Sequence, residues 1–490
     1  MKKSTLLVFA VFLSFTLMGQ TTYYVNGVTG NDTNDGINWV TSLATIQAAL
    51  DKTVSGDKVW VAKGIYIPSK IAGDAPSADN RDKSFSIPNG VSIYGGFVGN
   101  EDVNYDLALR NFDANKTTLS GSFDATPANN AYHVVIIASS TANIIQLDGF
   151  SITNGNANGT GFFNVHGKPV YRSQSGGINA TAGGGDIYIT NDLIYNNLAT
   201  NYGGGILVVA NGSNGYLMKN VISGNSTTSH GGGLYAQTFT TTNKLYLVNN
   251  VISNNTSTTN GGGIYVNSKF DVYLINNTIS YNTAATCGGI YGYTPATTGN
   301  IQIINDIVWG NVPAVISGHS SNTGITTVSN TIAEGGYAAG TNIINSDPLF
   351  VSISEKNFRL QTGSPAINAG KNSSYISTIF GDKDLDGYNR ISQSTIDIGA
   401  FEKQITTDID SQSMNIDNLS YPNPVKNNFY IKGLVGSETI NLFDLKGNEL
   451  TIQKTNSQVS PLYVGSLKSG IYILKITNSE SVRSIKLFKE

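Results

Sequence analysis

The sequence predicts an all-β chain: a single-stranded, right-handed parallel β-helix followed by a small antiparallel, sandwich-like β domain. Three observations carry that expectation. One six-residue pattern recurs as DLIYNN at 192–197, NVISGN at 220–225, NVISNN at 250–255, NTISYN at 277–282 and DIVWGN at 306–311. Short alternating segments precede it, IYI at 187–189, LYL at 245–247, VYL at 272–274 and IQI at 301–303. Glycine triplets begin at Gly183, Gly203, Gly231 and Gly261, with a CGG relative at 287–289.

The final asparagines of the hexamers, Asn197, Asn225, Asn255, Asn282 and Asn311, are 28, 30, 27 and 29 residues apart. Such a period marks stacked units, and about 28 residues hold two or three short strands with their turns. A propeller blade needs about 40 to 45 residues and four strands, so this period is too short for one. The alternating segments have the period of a strand, and no 3.6-residue apolar stripe in them is long enough for a helix.

In stacked coils equivalent residues lie about 4.8 Å apart. A buried turn carries backbone polar groups that need partners, and a column of asparagine amides bonds both to them and to itself. The same alignment places Lys244 over Asp271 as a modest stacking ion pair. The glycines of GGGIYV at 261–266 lead into a strand, whereas a phosphate cradle needs Lys and Ser/Thr leading into a helix. They are expected to form a tight corner, since glycine accepts positive φ and close backbone approach.

Ahead of the repeats, TSLATIQAAL places Leu43, Ile46, Ala49 and Leu50 at helical spacing, and the strand-like VWVA and GIYIP follow. A short helix and first strands there would cover the open end of the stack. Residues 70–85 and 100–130 read as loops, and 156–182 as a long excursion between coils. Residues 403–420 read as a polar linker, and 421–490 alternate apolar and polar between glycine turns as a separate β domain.

Charged residues make up only 13% of the 490, so neutral polar groups must keep the chain in solution. A net charge of −3 gives no positive footprint for nucleic acid or an anionic membrane. The first 20 residues pair two lysines with an apolar run from Leu6 to Met18, the grammar of a signal peptide, leaving no transmembrane segment in the mature chain. The single cysteine, Cys287, forms no internal disulfide and reads as a buried stand-in for glycine.

Two clusters have functional chemistry. His166, Lys168 and Arg172 concentrate cationic groups in the excursion and are the catalytic candidates, although their spacing does not define a pocket. Asp382, Asp384 and Asp386 alternate within GDKDLDGYNR, as in the first half of a calcium loop. The twelfth position is Gln393, where a calcium loop of the helix-loop-helix type has Glu, so an Asx-rich turn competes with a structural calcium.

The chain resembles the repeat-containing parallel β-helix surface proteins exported by Bacteroidota. The marks are YYVNGVTGNDTNDGINW, YGGFVG at 94–99, the GGGIY repeats, DPLF at 347–350, GSPAINAG at 363–370, and DLDGYNR with DIGAFE across 384–402. The C-terminal block is similar to the type A sorting domain of the type IX secretion system, through YPNP at 421–424, LFDLKG at 442–447 and SGIYILKI at 469–476. The resemblance implies a pectin-lyase-like solenoid over 21–402 and partnership of 421–490 with the type IX machinery. It also implies release from the cell or attachment to its outer surface. Some relatives of the fold are polysaccharide lyases, which abstract a proton beside a uronate carboxylate. The expected function is a non-catalytic adhesin or glycan-binding solenoid. A polysaccharide lyase or glycoside hydrolase acting on an extracellular polysaccharide is the alternative.

Overall fold

The computed structural model describes residues 19–404 and 420–490, apart from 239–242, 270, 295–298, 314–315, 319–324, 326, 422–423, 433–438, 455–458 and 478–481. Most of the expected signal segment 1–20, most of the linker 403–420 and the centre of YPNP therefore lie outside the described residues. The chain forms two compact units, up to Lys403 and from Gln404 onward.

The first unit is a parallel β-helix. Each regular coil lays down three main strands, and a two-residue strand joins them in the coils that carry Asn156–Ala157, Leu198–Ala199, Ser226–Thr227 and Thr256–Ser257. The first column runs Ile145–Asp148, Ile187–Thr190, Gly215–Met218, Leu245–Val248, Val272–Ile275 and Ile301–Ile304, each strand parallel to the next. The second column runs from Ser151–Thr153 through Leu193–Tyr195, Val221–Ser223, Val251–Ser253 and Thr278–Ser280 to Ile307–Trp309. The third contains Val135–Ser139, Ile178–Ala182, Ile206–Ala210, Leu234–Thr238, Ile264–Asn267, Ile290–Tyr293 and Ile316–Gly318. Strand alternation sends Leu245 and Leu247 into the shared core and Tyr246 outward, and every coil repeats that choice.

The corners explain the hexamers. A left-handed residue precedes each buried ladder residue twice per coil. At the first corner these are Asn191, Lys219, Asn249, Asn276 and Asn305, with φ between 56° and 60°. At the second they are Asn196, Gly224, Asn254, Tyr281 and Gly310, with φ from 54° to 71°. Asparagine and glycine tolerate this region best, hence the NN and GN endings. The next residue turns its amide inward. Asn225 Oδ1 accepts from the backbone N–H and the Nδ2 of Asn197, each at 3.0 Å. Asn225 Nδ2 donates to the Ile194 carbonyl at 2.9 Å and to Asn255 Oδ1 at 3.1 Å. The chain of amides continues through Asn282 to Asn311 at 2.9 Å per step.

A second column of the same geometry stands at the first corner: Asp192, Asn220, Asn250, Asn277 and Asp306. Its signal was the opening letter of each hexamer, D, N, N, N, D.

The glycine corner leads into the third strand column. Ile178, Ile206, Leu234, Ile264 and Ile290 share one register position. The corner residues three places before them are therefore Ser175, Gly203, Gly231, Gly261 and Cys287. The first four have φ of 58°, 65°, 73° and 66°. The triplet beginning at Gly183 is not one of these corners, because it follows the strand Ile178–Ala182 instead of leading into it. Strand pairing, not the count of glycines, fixes the position. Cys287 is buried, its thiol donates to the Ile290 carbonyl at 3.2 Å, and burial pushes its pKa up to about 12.

The N-terminal end is covered by the helix Ile46–Lys52, capped by the Thr45 hydroxyl, with Ile46, Ala49 and Leu50 buried in the main core. The excursion 156–182 contains coil strands together with an antiparallel hairpin, Phe162–Val165 with Lys168–Tyr171. At the other end, residues 346–403 form a strap that returns along the outside of the coils. Its Phe350, Phe358, Leu360, Ile398 and Phe401 cluster with Val251, Ile307 and Ile332. Its Tyr375, Phe380 and Ile396 cluster with Tyr216, Tyr246 and Ile275.

Three first-corner asparagines fasten the strap. Asn249 donates to the Tyr375 hydroxyl at 2.9 Å, and Asn276 donates to the Asp397 carbonyl at 2.7 Å. Asn305 accepts the Lys371 N–H at 2.8 Å.

The second unit is antiparallel. Ser420–Tyr421, Asn428–Lys432 and Val459–Tyr463 form one sheet, and Thr439–Phe443, Glu449–Lys454, Gly470–Thr477 and Val482–Lys489 form another. Phe429, Ile431, Leu442, Leu474 and Leu487 meet in their common core.

A Cβ on Gly262 would stand 2.4 Å from the Thr283 carbonyl oxygen and 2.7 Å from that of Gly288 in the next coil. Neither backbone atom can swing away, so Gly262→Ala is expected to destabilise the solenoid by about 1–3 kcal/mol or more. Chemical denaturation of the purified chain measures this, and an unchanged midpoint would refute the close-approach account.

Candidate functional site

The hairpin holds the three cationic candidates. His166 and Gly167 form its two-residue turn with φ of 49° and 73°, and Asp74 accepts both of their backbone N–H groups, at 2.7 and 2.8 Å. The His166 ring bonds through Nδ1 to the Ala138 carbonyl at 2.8 Å. Arg172, beyond the far end of the hairpin, makes a bidentate pair with the fully buried Asp82, 2.7 Å at each contact. Lys168 lies against Gly183. Val165 and Val170 pack on Ile136 and Ala138, so the hairpin covers the outer face of the third strand column at its early coils. His166 and Arg172 are thus engaged in docking this cover.

The three aspartates sit in the strap. Asp384 Oδ1 accepts the N–H groups of Asp386 and Tyr388 at 3.0 and 2.8 Å, and its Oδ2 accepts that of Glu402 at 2.8 Å. Both Asp386 oxygens pair with Arg359, at 2.5 and 2.6 Å. The carboxylates of Asp384 and Asp386 are engaged by backbone amides and a guanidinium. Among the described residues no group of three or more His, Cys, Asp or Glu is placed to hold a metal.

Lys244 and Asp271 are neighbours in register but not ion-paired. Lys244 Nζ lies 5.6 Å from the Tyr273 ring centre, and Asp271 accepts from Asn300 at 3.0 Å.

The geometry draws attention to another place. The outer face of the first strand column is covered at both ends. Toward the N-terminus, Tyr105 and Leu107 pack on the cluster of Tyr24, Trp60, Tyr94 and Phe97. Arg110 reaches across from the same loop to Asp148 at 2.6 Å, a pair that is almost fully buried. Toward the C-terminus the strap covers Tyr216, Tyr246 and Ile275. Between the two covers lies a half-exposed window of Gln146, Tyr188, Asn191, Leu193, Tyr195 and Lys219.

The window combines an aromatic platform with charge. Tyr188 stacks on Tyr216 with ring centres 4.5 Å apart and planes 8° from parallel. Asp148 is held by Arg110, by the Thr190 hydroxyl at 2.6 Å and by Asn191 Nδ2 at 3.2 Å. Lys219 occupies a corner where three of the other four residues are the asparagines that fasten the strap. Among the described residues its ammonium makes no hydrogen bond or ion pair. Burial pushes its pKa down, opposed by the charges of Asp384, Asp382 and Asp148. Sequence reading missed Lys219 because it sits in the repeat and not in a motif of its own. The signal was a lysine in a column of asparagines.

The fold defines a parallel β-helix followed by a separate antiparallel β unit. A family model described as "Secretion system C-terminal sorting domain" matches residues 419–490. That unit is a type IX sorting domain, and it directs the protein through the type IX machinery to the outer-membrane surface or the extracellular space. A second model, "Protein of unknown function (DUF1565)", matches residues 28–282, just over half of the chain, and the protein belongs to that family. A search of curated proteins gives no match. Among solved structures, the pectate lyase Pel9A has 15% identity and a TM-score of 0.47, over 79% of this chain and 97% of that one. XylC in complex with xylose has 10% identity and a TM-score of 0.30, over 78% and 99%. Among the described residues no helix is long and apolar enough to cross a membrane.

Removing Arg172 would leave the Asp82 carboxylate buried without its ionic partner. Arg172→Ala is therefore expected to cost about 3–5 kcal/mol of stability. Thermal and denaturant unfolding test this, and a variant as stable as the parent would show that Arg172 is free for another role.

Proposed function

We propose that the protein is a non-catalytic glycan-binding solenoid, an adhesin of the cell surface. In this reading the segment 1–20 starts export, the coils of 21–402 carry the binding surface, and the sorting domain 421–490 parts from them at the linker 403–420. The observation that supports it is the window beside Lys219. Half-exposed Tyr188, backed by the buried Tyr216 on which it stacks, offers an amphipathic platform, while Asn191, Gln146 and the Lys219 ammonium supply polar groups at its edge. The third strand column adds a neutral surface along the axis. Tyr202, Tyr235, Tyr265 and Tyr291 stack along it with ring centres 4.4, 5.1 and 5.2 Å apart, the last three largely buried. Gln237 and Asn267 are half-exposed in the adjacent outward column.

One observation favours the enzymatic alternative in its lyase form. A general base must lose its proton near the working pH, and burial moves the Lys219 ammonium in that direction. A proton beside a uronate carboxylate is what such a base would take.

Incubating the full chain with anionic and neutral polysaccharides, while measuring retention and new chain ends, separates the two readings. Retention without unsaturated uronides is the expected result. Lys219→Met should weaken retention about tenfold, the loss of one charge-assisted hydrogen bond. Unsaturated products that disappear in Lys219→Met would overturn the non-catalytic reading and make Lys219 the base.

A further inference from the structure

The column at the first corner is asparagine in its interior and aspartate at both ends. Its interior members fix what the position requires. Each Nδ2 donates twice, to a strand carbonyl of the preceding coil and to the side-chain oxygen of the following member. Asn220 donates to Ile189 at 2.8 Å and to Asn250 at 3.1 Å, and Asn250 donates to Leu217 at 2.8 Å and to Asn277 at 2.9 Å. Asn277 donates to Leu247 at 2.8 Å and to Asp306 at 3.0 Å.

Asp192 and Asp306 keep the accepting half of this pattern. Asp192 Oδ1 takes the Phe150 N–H at 2.7 Å, and Asp306 Oδ1 takes both donors of Asn277. Their second oxygens stand where an asparagine carries its NH2 group, and both are buried without a partner. Strand register aligns Ile189 with Leu147 and Leu274 with Ile303, so the equivalent partners are the carbonyls of Leu147 and Leu274. Those groups only accept, and for Asp192 the neighbouring Asn220 Oδ1 accepts as well. An ionised carboxylate would set acceptor against acceptor in a dry interior, whereas a carboxylic acid would donate.

We propose that Asp192 and Asp306 are neutral carboxylic acids in the folded solenoid, each Oδ2–H taking the place of an asparagine N–H, so that folding at neutral pH takes up two protons. The surrounding charges agree. Asp192 faces Asp148, which disfavours a second negative charge, and Arg110, whose guanidinium is already paired to Asp148. The Asp306 carboxyl is engaged by the backbone and side-chain N–H groups of Asn277, and among the described residues no charged group acts on it. Burial raises both carboxyls well above their usual range. Groups raised in this way contribute stability that is complete below the ordinary carboxylate range and lost as pH rises through their folded values. The contribution of these two groups is therefore greatest in acid and fades toward alkaline pH.

Denaturant unfolding of the full chain, Asp192→Asn, Asp306→Asn and the double variant across mildly acidic to mildly alkaline pH tests the proposal. Relative to the double variant, the unfolding constant of the parent should rise by up to about tenfold per pH unit for each aspartate, and each single variant should lose one share. The parent should also show a protonated-carboxyl carbonyl band in its infrared spectrum at neutral pH that weakens in each single variant and further in the double variant, the remainder coming from Glu402, which burial raises to about 7. Identical pH profiles for parent and double variant, or a protonated-carboxyl band no weaker in the double variant, would overturn the proposal.

Discussion

The structure depends on satisfying the backbone at its own corners. Parallel coils stack about 4.8 Å apart, so each turn presses its N–H and C=O groups against those of the next with no room for water. Stacked asparagine amides meet that demand with one acceptor and two donors per coil. Two such columns and a corner that glycine dominates leave few buried places for charge, consistent with the low charged content of the chain. Variation in coil length, from 27 to 30 residues between ladder asparagines, is then confined to segments outside the paired strands.

A regular solenoid presents the same surface at every level, so function must come from what interrupts it. Three interruptions matter here: the loop carrying Tyr105 to Phe112, the hairpin 162–171, and the strap 346–403. Each covers part of a face with apolar side chains and pins itself with a polar anchor, Arg110 to Asp148, Arg172 to Asp82, and the corner asparagines to the strap backbone. The cationic residues that stood out as candidate chemistry, His166 and Arg172, are anchors of this kind.

The coils were legible in the sequence because coil formation is a local, periodic demand. The period-two segments, the final asparagine of each hexamer and the GGG and CGG corners from Gly203 to Cys287 all reflect contacts repeated once per coil. Contacts made once were not legible. Nothing near Asn249 announces Tyr375, 126 residues away, and nothing in Asp386 announces Arg359. The Gly183 triplet misled for the same reason in reverse, since its composition matched the corner while its pairing did not. Asp192 and Asp306 were visible as letters, but their burial is a property of the stack.

The position of the window follows from one residue in the first-corner column. Asn249, Asn276 and Asn305 each offer a short neutral amide that reaches the strap backbone or its tyrosine hydroxyl. At Lys219 the column changes to a long ammonium, which cannot accept a hydrogen bond and is costly to bury beneath an apolar cover. One coil further, Asn191 turns to Asp148 instead. The strap's asparagine fastenings therefore stop short of Lys219. The same substitution that leaves this stretch of the face without an amide anchor places an ammonium at its edge. Exposure and chemistry at the window thus have one origin, and the three asparagines that hold the strap make that origin readable.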